Sequence, residues 1–152
     1  MAELSLRIRG ATILVVKDGE VIFSTKVPGL RAVFEAAGHL KGELKDAAVA
    51  DKVVGKAAAL LYAYFQVSSV FGSLMSEGAA KVFRDRGIKF RFERLVPVIL
   101  GKEGRGVCPF EGRVAGVSDP EDAFRILHGM FFRFFNTDQY GLRSGKIGQS
   151  RR

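Results

Sequence analysis

The sequence predicts a single α/β domain of three layers, α/β/α, built on a mixed sheet, and three observations predict it. Strand-like and helix-like stretches alternate in the order strand–strand–helix–helix–strand–helix–strand–helix–helix, the pattern of helices laid against a sheet. The length of 152 residues suits one domain, which can bury roughly 70% of its unfolded surface with no disulfide or metal staple. A composition of 47% hydrophobic and 26% charged residues is that of a globular chain. The domain is expected over residues 1–140, with residues 141–152 as a basic tail.

Residues 11–16 (ATILVV) form a β-branched run, and Val21-Ile22-Phe23-Ser24 form a second. The Asp18-Gly19 between them is a strong hairpin signal, because both residue types tolerate the positive φ of a tight turn. Pro28-Gly29 opens a short helix with Leu30, Val33, Phe34 and Ala37 at helical spacing, and Gly38 is its expected stop. After a polar linker, the small apolar residues 47–50 lead into Asp51-Lys52-Val53-Val54-Gly55-Lys56 and the apolar run to Phe65. This stretch predicts a long buried helix with Asp51 at or near its N-cap. Residues 67–72 predict a short strand.

Ser76 is expected to open a helix over residues 76–86, with Glu77 in its first turn, Arg84 and Arg86 in its last, and Gly87 as stop. Residues 88–93 alternate apolar and charged side chains, as a strand with one buried face does. Residues 95–100 are apolar again, and Pro97 predicts a bend or an edge position. A basic, glycine-rich loop follows over 101–106. Cys108-Pro109-Phe110-Glu111 starts a short helix, and Ser118-Asp119-Pro120 starts a longer one running to about Phe135.

No apolar run reaches the roughly 18–20 residues of a membrane-spanning helix. The opening MAELSLRIRG lacks the apolar core and cleavage site of a secretory signal, and a lone cysteine closes no internal disulfide. A reducing, cytoplasmic setting is therefore expected, with no membrane partner. The net charge of +8 is unevenly placed. Residues 141–152 carry four basic side chains and no acid, and residues 81–105 carry eight basic side chains against three acidic ones. The tail reads as a disordered, solubilising end, with a weak nucleic-acid contact as its functional alternative. Lys89, Arg91 and Arg94 interleave with Phe90 and Phe92. A nucleic-acid stacking platform has this look, but strict alternation turns the phenylalanines inward, so core packing with charges guarding an edge strand is the reading adopted. The helix ending in Phe131-Phe132-Arg133-Phe134-Phe135 is apolar on more than one face. It either threads between layers of the domain or forms a homo-oligomer interface.

Two groups of residues can carry chemistry. Cys108 at a helix N-cap, with Pro109 at the first helical position and Glu111 at the third, faces the positive end of the helix dipole, which favours thiolate. Arg105 adds to that field, and a buried, inert thiol is the alternative. Lys52 and Lys56, four apart on one expected helix face near free amides, suit a phosphate or carboxylate. Gly55-Lys56 is not a phosphate loop, because Ala50 and Ala57 stand where that motif needs glycine and a hydroxyl residue. His39, His128 and Cys108 lack the spacing of a zinc site, so no metal or other cofactor is expected.

The run Asp51-Lys52-Val53-Val54-Gly55-Lys56-Ala57-Ala58-Ala59, with Cys108-Pro109-Phe110-Glu111 further on, resembles a small uncharacterised prokaryotic family with a cytidine-deaminase-like fold and no deaminase zinc site. The resemblance covers roughly residues 11–130. It implies a deaminase-like scaffold in which Asp51, Lys52, Lys56, Ser73, Ser76, Cys108 and Glu111 converge on one edge of the sheet. The helix starts corresponding to the deaminase metal motifs hold neither His nor Cys, so zinc-dependent deamination is not implied. The expected function is a pocket for a nucleotide or another anionic small molecule, with Lys52, Lys56, Ser73 and Ser76 as ligand-binding residues. Cys108, Glu111 and Asp51 are its expected reactive or sensing group and catalytic partners. The alternative is a non-catalytic, oligomeric interaction protein whose basic tail touches nucleic acid.

Overall fold

In the turn of the first hairpin, Asp18 and Gly19 both adopt positive φ, 52° and 80°. That is the geometry whose twist matches the flanking strands. It joins β1 (Ile13–Lys17) to β2 (Glu20–Thr25), which pair antiparallel. The computed structural model describes residues 10–101, 104 and 106–132. The expected tail, Arg105 and the end of the Phe-rich segment lie outside these residues.

The remaining elements are α1 (Arg31–Leu40), β3 (Ala48–Val54), α2 (Lys56–Tyr64), β4 (Ser69–Ser76), α3 (Glu77–Arg86), β5 (Lys89–Val96), α4 (Pro109–Arg113) and α5 (Pro120–Phe131). A 3₁₀ turn, Lys41–Leu44, follows α1. The strands form one five-stranded mixed sheet in the order β2-β1-β3-β4-β5. β1 runs antiparallel to both its neighbours, and β3, β4 and β5 run parallel to one another. Their crossovers are α2 and α3, as parallel strands require.

Apolar side chains are buried on both faces of the central strands, which fits a three-layer α/β/α arrangement. On one face Ile13, Val15, Val49 and Val70 join a core with Val33 of α1, Leu60 of α2, Phe83 of α3 and Phe124 of α5. On the other, Leu14, Ala50 and Phe71 form a smaller cluster. Strand alternation produces this division, since successive residues point to opposite faces.

The long helix expected from Asp51 to Phe65 is overturned. Residues 48–54 are a strand, and the helix begins only at Lys56, so Asp51 is no N-cap. The cause lies in the composition. AVADKVV mixes helix formers with β-branched residues, and a short apolar run buried on both faces has no period that separates strand from helix. The following strand is correspondingly later and longer than residues 67–72. Gly38 does not stop α1, which continues to Leu40, and Lys41 then takes φ 53°. The last helix ends at Phe131, not near Phe135. Three expected helix starts stand: Ser76 Oγ accepts the Ala79 amide, Asp119 caps α5 and Cys108 occupies the N-cap of α4.

Candidate functional site

β3 ends at Gly55, and α2 begins at once with Lys56-Ala57-Ala58. A helix start leaves amides without intrahelical partners, and this one has no acid of its own in the first turn. Glu111 supplies one from 55 residues away. The Lys56 amide donates to its Oε1 at 2.7 Å, and the Ala57 amide donates to Oε2 at 2.9 Å. The carboxylate thus closes the positive end of α2 with both oxygens. Gly55 makes room for the Glu111 carboxylate, and its φ of −95° suits any residue. A Cβ at position 55 would lie 2.6 Å from Glu111 Oε2.

Beside this contact lies a cavity of about 150 Å³, lined mostly by apolar side chains, among them Leu30, Val33, Val53, Ile99 and Phe110. Its polar groups include Asp51, Cys108 and Glu111. The carboxyl ends of parallel strands are where open α/β sheets hold ligands, and the cavity sits at that end of β3.

Asp51 is the unusual member. It is 7% exposed, and its Oδ2 accepts the Tyr62 hydroxyl at 2.6 Å while Oδ1 accepts the Val53 amide at 3.2 Å. Burial pushes its pKa up to about 7, against the pull of these two hydrogen bonds. Desolvation, then the neighbouring carboxylate, push the Tyr62 phenol well above its ordinary value. A carboxyl group that takes and gives a proton near neutrality in a cavity is a candidate for acid–base or recognition chemistry.

The structure brings together only part of the expected set. Cys108 is half-buried on the cavity wall, and its side chain makes no capping hydrogen bond in the short α4. Lys56 stands at the α2 start, but its Nζ donates to the Ala115 carbonyl at 2.9 Å and its amide is held by Glu111. Lys52 belongs to β3 and is exposed. Strand alternation turns it, and Ser73 of β4, away from the face that bears Asp51. The expected pairing of Lys52 and Lys56 on one helix face is therefore wrong, because these residues share no helix. Ser76 is buried and used as the cap of α3.

Sequence reasoning missed Tyr62 and Gly55. Tyr62 lies eleven positions from Asp51, a spacing that carries no local signal, and Gly55 owes its role to Glu111 of α4, distant in the chain. Among the described residues, no group of three or more His, Cys, Asp or Glu side chains could hold a metal ion. No helix among them is long and apolar enough to cross a membrane.

The profile of a protein family described as a domain of unknown function, DUF1893, matches residues 2–131. A DUF1893 family protein of known crystal structure from Thermotoga maritima is similar to this chain with 31% sequence identity and a TM-score of 0.76. The match covers 85% of this chain and 86% of that one. No curated protein matches.

Proposed function

The chain belongs to the DUF1893 family, and we propose that it binds a small, flat, mostly apolar molecule in the cavity beside α2, with Asp51 reading the polar edge of that molecule. The observation that carries this reading is the cavity itself, an apolar hollow at the carboxyl end of β3 with one buried carboxyl in its wall. A hollow of about 150 Å³ is of the size that admits a single six-membered ring. A nucleotide would place only its base there. Its phosphate would compete with Glu111 for the Lys56 and Ala57 amides, so an anionic ligand demands that Glu111 move. Near neutrality Asp51 can either donate its proton to a ring nitrogen or accept one from a ring N–H. The Cys108 thiol is the nucleophile that an electrophilic ligand would meet. The deaminase-like scaffold is supported by the order of elements, with helix starts following β3 at Lys56 and β4 at Glu77.

The test is a thermal-shift screen of heteroaromatic bases, nucleosides, nucleotides and anionic metabolites on the wild type, Asp51→Asn and Lys56→Ala. A ligand at about 100 times its dissociation constant stabilises the fold by about 2.7 kcal/mol. Ring compounds are expected to stabilise the wild type and Lys56→Ala, and to lose their effect in Asp51→Asn. A panel with no hit, or a hit indifferent to Asp51→Asn, overturns the reading. A hit confined to anions and lost in Lys56→Ala replaces it with an anion site.

A further inference from the structure

β5 is the last strand of the sheet, and it is exposed along nearly its whole length. Alternation was expected to bury both of its phenylalanines. Phe90 does pack on Phe83, with ring centroids 5.8 Å apart, but Phe92 stacks on Phe90 and remains 40% exposed. Leu95 is 40% exposed as well. Val98, Leu100 and Val107, in the segment that follows, are also among the exposed large hydrophobic side chains. A long, partly apolar edge strand is a template for pairing with another strand.

We propose that β5 pairs antiparallel with β5 of a second copy of this chain, about a twofold axis at Phe92. The charges select this occupant and this register. Two identical strands related by a twofold axis normal to the sheet pair about a single residue, and side chains standing opposite share a face. Centred on Phe90, the pairing sets Lys89 against Arg91. Centred on Arg91, Glu93 or Arg94, it sets that residue against its own copy. Centred on Leu95, it overlaps only residues 94–96 before Pro97. Centred on Phe92, it sets Arg91 opposite Glu93 twice, Phe90 opposite Arg94 twice and Phe92 opposite itself, with no like charges facing. Lys89, Arg91 and Arg94 thus guard the edge against slipped pairings, while Glu93 admits one.

Sedimentation of the full chain tests the pairing through a charge swap. The wild type is expected to dimerise. Arg91→Glu opposes acid to acid at both Glu93 positions, and Glu93→Arg opposes base to base, so each variant alone is expected to raise the dimer dissociation constant about tenfold or more. An equal mixture of the two variants restores two opposite-charge pairs and is expected to return to dimer, which also shows that neither substitution has damaged the fold. A monomeric wild type overturns the proposal. So does a dimer indifferent to either single variant, or a mixture that stays monomeric. A monomer that retains single-stranded nucleic acid, and releases it in Phe92→Ala, assigns the same aromatic and basic strand to base stacking and likewise overturns the pairing.

Discussion

Asp51 and His128 are both taken out of water, one in the cavity wall and one in an aromatic cluster, and they answer in opposite directions. Asp51 sits in the cavity wall, where burial raises its pKa to about 7. His128 is fully buried among Phe34, Phe124 and Phe132, with ring centroids 5.7, 5.3 and 4.6 Å away, and burial lowers its pKa to about 4. Desolvation favours the neutral form of each. For the acid, neutrality means a proton held near a cavity and available to a ligand. For the imidazole, it means one more flat ring in an aromatic cluster. One cause therefore yields a candidate reactive group in the cavity wall and packing material in the aromatic cluster.

The sharpest contrast between the two surroundings is in stability. Phe124 is fully buried and stacks on Tyr64 at 4.4 Å between centroids, with an interplanar angle of 13°. Phe124→Ala is expected to cost about 4 kcal/mol, the range for deleting a buried aromatic side chain, and to lower the melting temperature by roughly 10 °C. Calorimetry checks this. A loss below about 1 kcal/mol would mean that the aromatic cluster is not the keystone that its burial implies.

The next effect separates the two groups by pH. Asp51 holds its proton in the folded state up to about 7 but has a reference pKa of 3.8. Between those values the folded chain binds more protons than the unfolded one, so this contribution to stability falls as pH rises from about 4 to 7. His128 has the reverse sign. Its folded pKa near 4 lies below the reference 6.5, so its contribution is lost as pH falls from about 6.5 to 4. The two slopes oppose each other across most of one window, and in the wild type they offset. Urea unfolding across this window should show stability rising with pH in Asp51→Asn and falling with pH in His128→Gln. Each change relative to the wild type is expected to be on the order of 2 kcal/mol. Parallel curves in all three proteins would erase the contrast.

The start of the aromatic helix was more legible in the sequence than the cavity. Asp119-Pro120 is a local helix-start signal, but apolar residues cover more than one face of the helix that follows, and only the fold shows that Phe124, Leu127 and His128 are buried together. Asp18-Gly19, Ser76 with Gly87, and Cys108-Pro109 were legible as Asp119-Pro120 was, since a turn or cap is decided within a few residues. The cavity depends on contacts that span the chain. Glu111 was singled out as a residue of its own short helix, yet its carboxylate serves the amides of Lys56 and Ala57. Asp51 was singled out as a helix cap, yet it lies on a strand and binds Tyr62. Both residues were chosen by their chemistry and then given the wrong partners, because no local pattern encodes a pairing over 55 residues or across a strand–helix junction.

The Asp51–Tyr62 contact offers the smallest effect and the finest test of the contrast. The phenol stays protonated throughout the neutral range, so it remains a donor to Asp51 Oδ2. A donor favours the ionised carboxylate, which is why this bond holds the Asp51 pKa lower than burial alone would. Tyr62→Phe keeps the ring and removes the donor. The Asp51 pKa should then climb beyond 7, and the fall in stability with rising pH should continue where the wild type levels off. The expected loss is about 1 kcal/mol, the scale of one buried hydrogen bond, and it should be larger at about pH 8.5 than at about pH 5. A pH-independent loss would mean that the hydroxyl only fills space and that Asp51 does not ionise within the folded protein. In His128→Gln the same comparison should leave the high-pH limb unchanged, since no imidazole proton is bound there in either state.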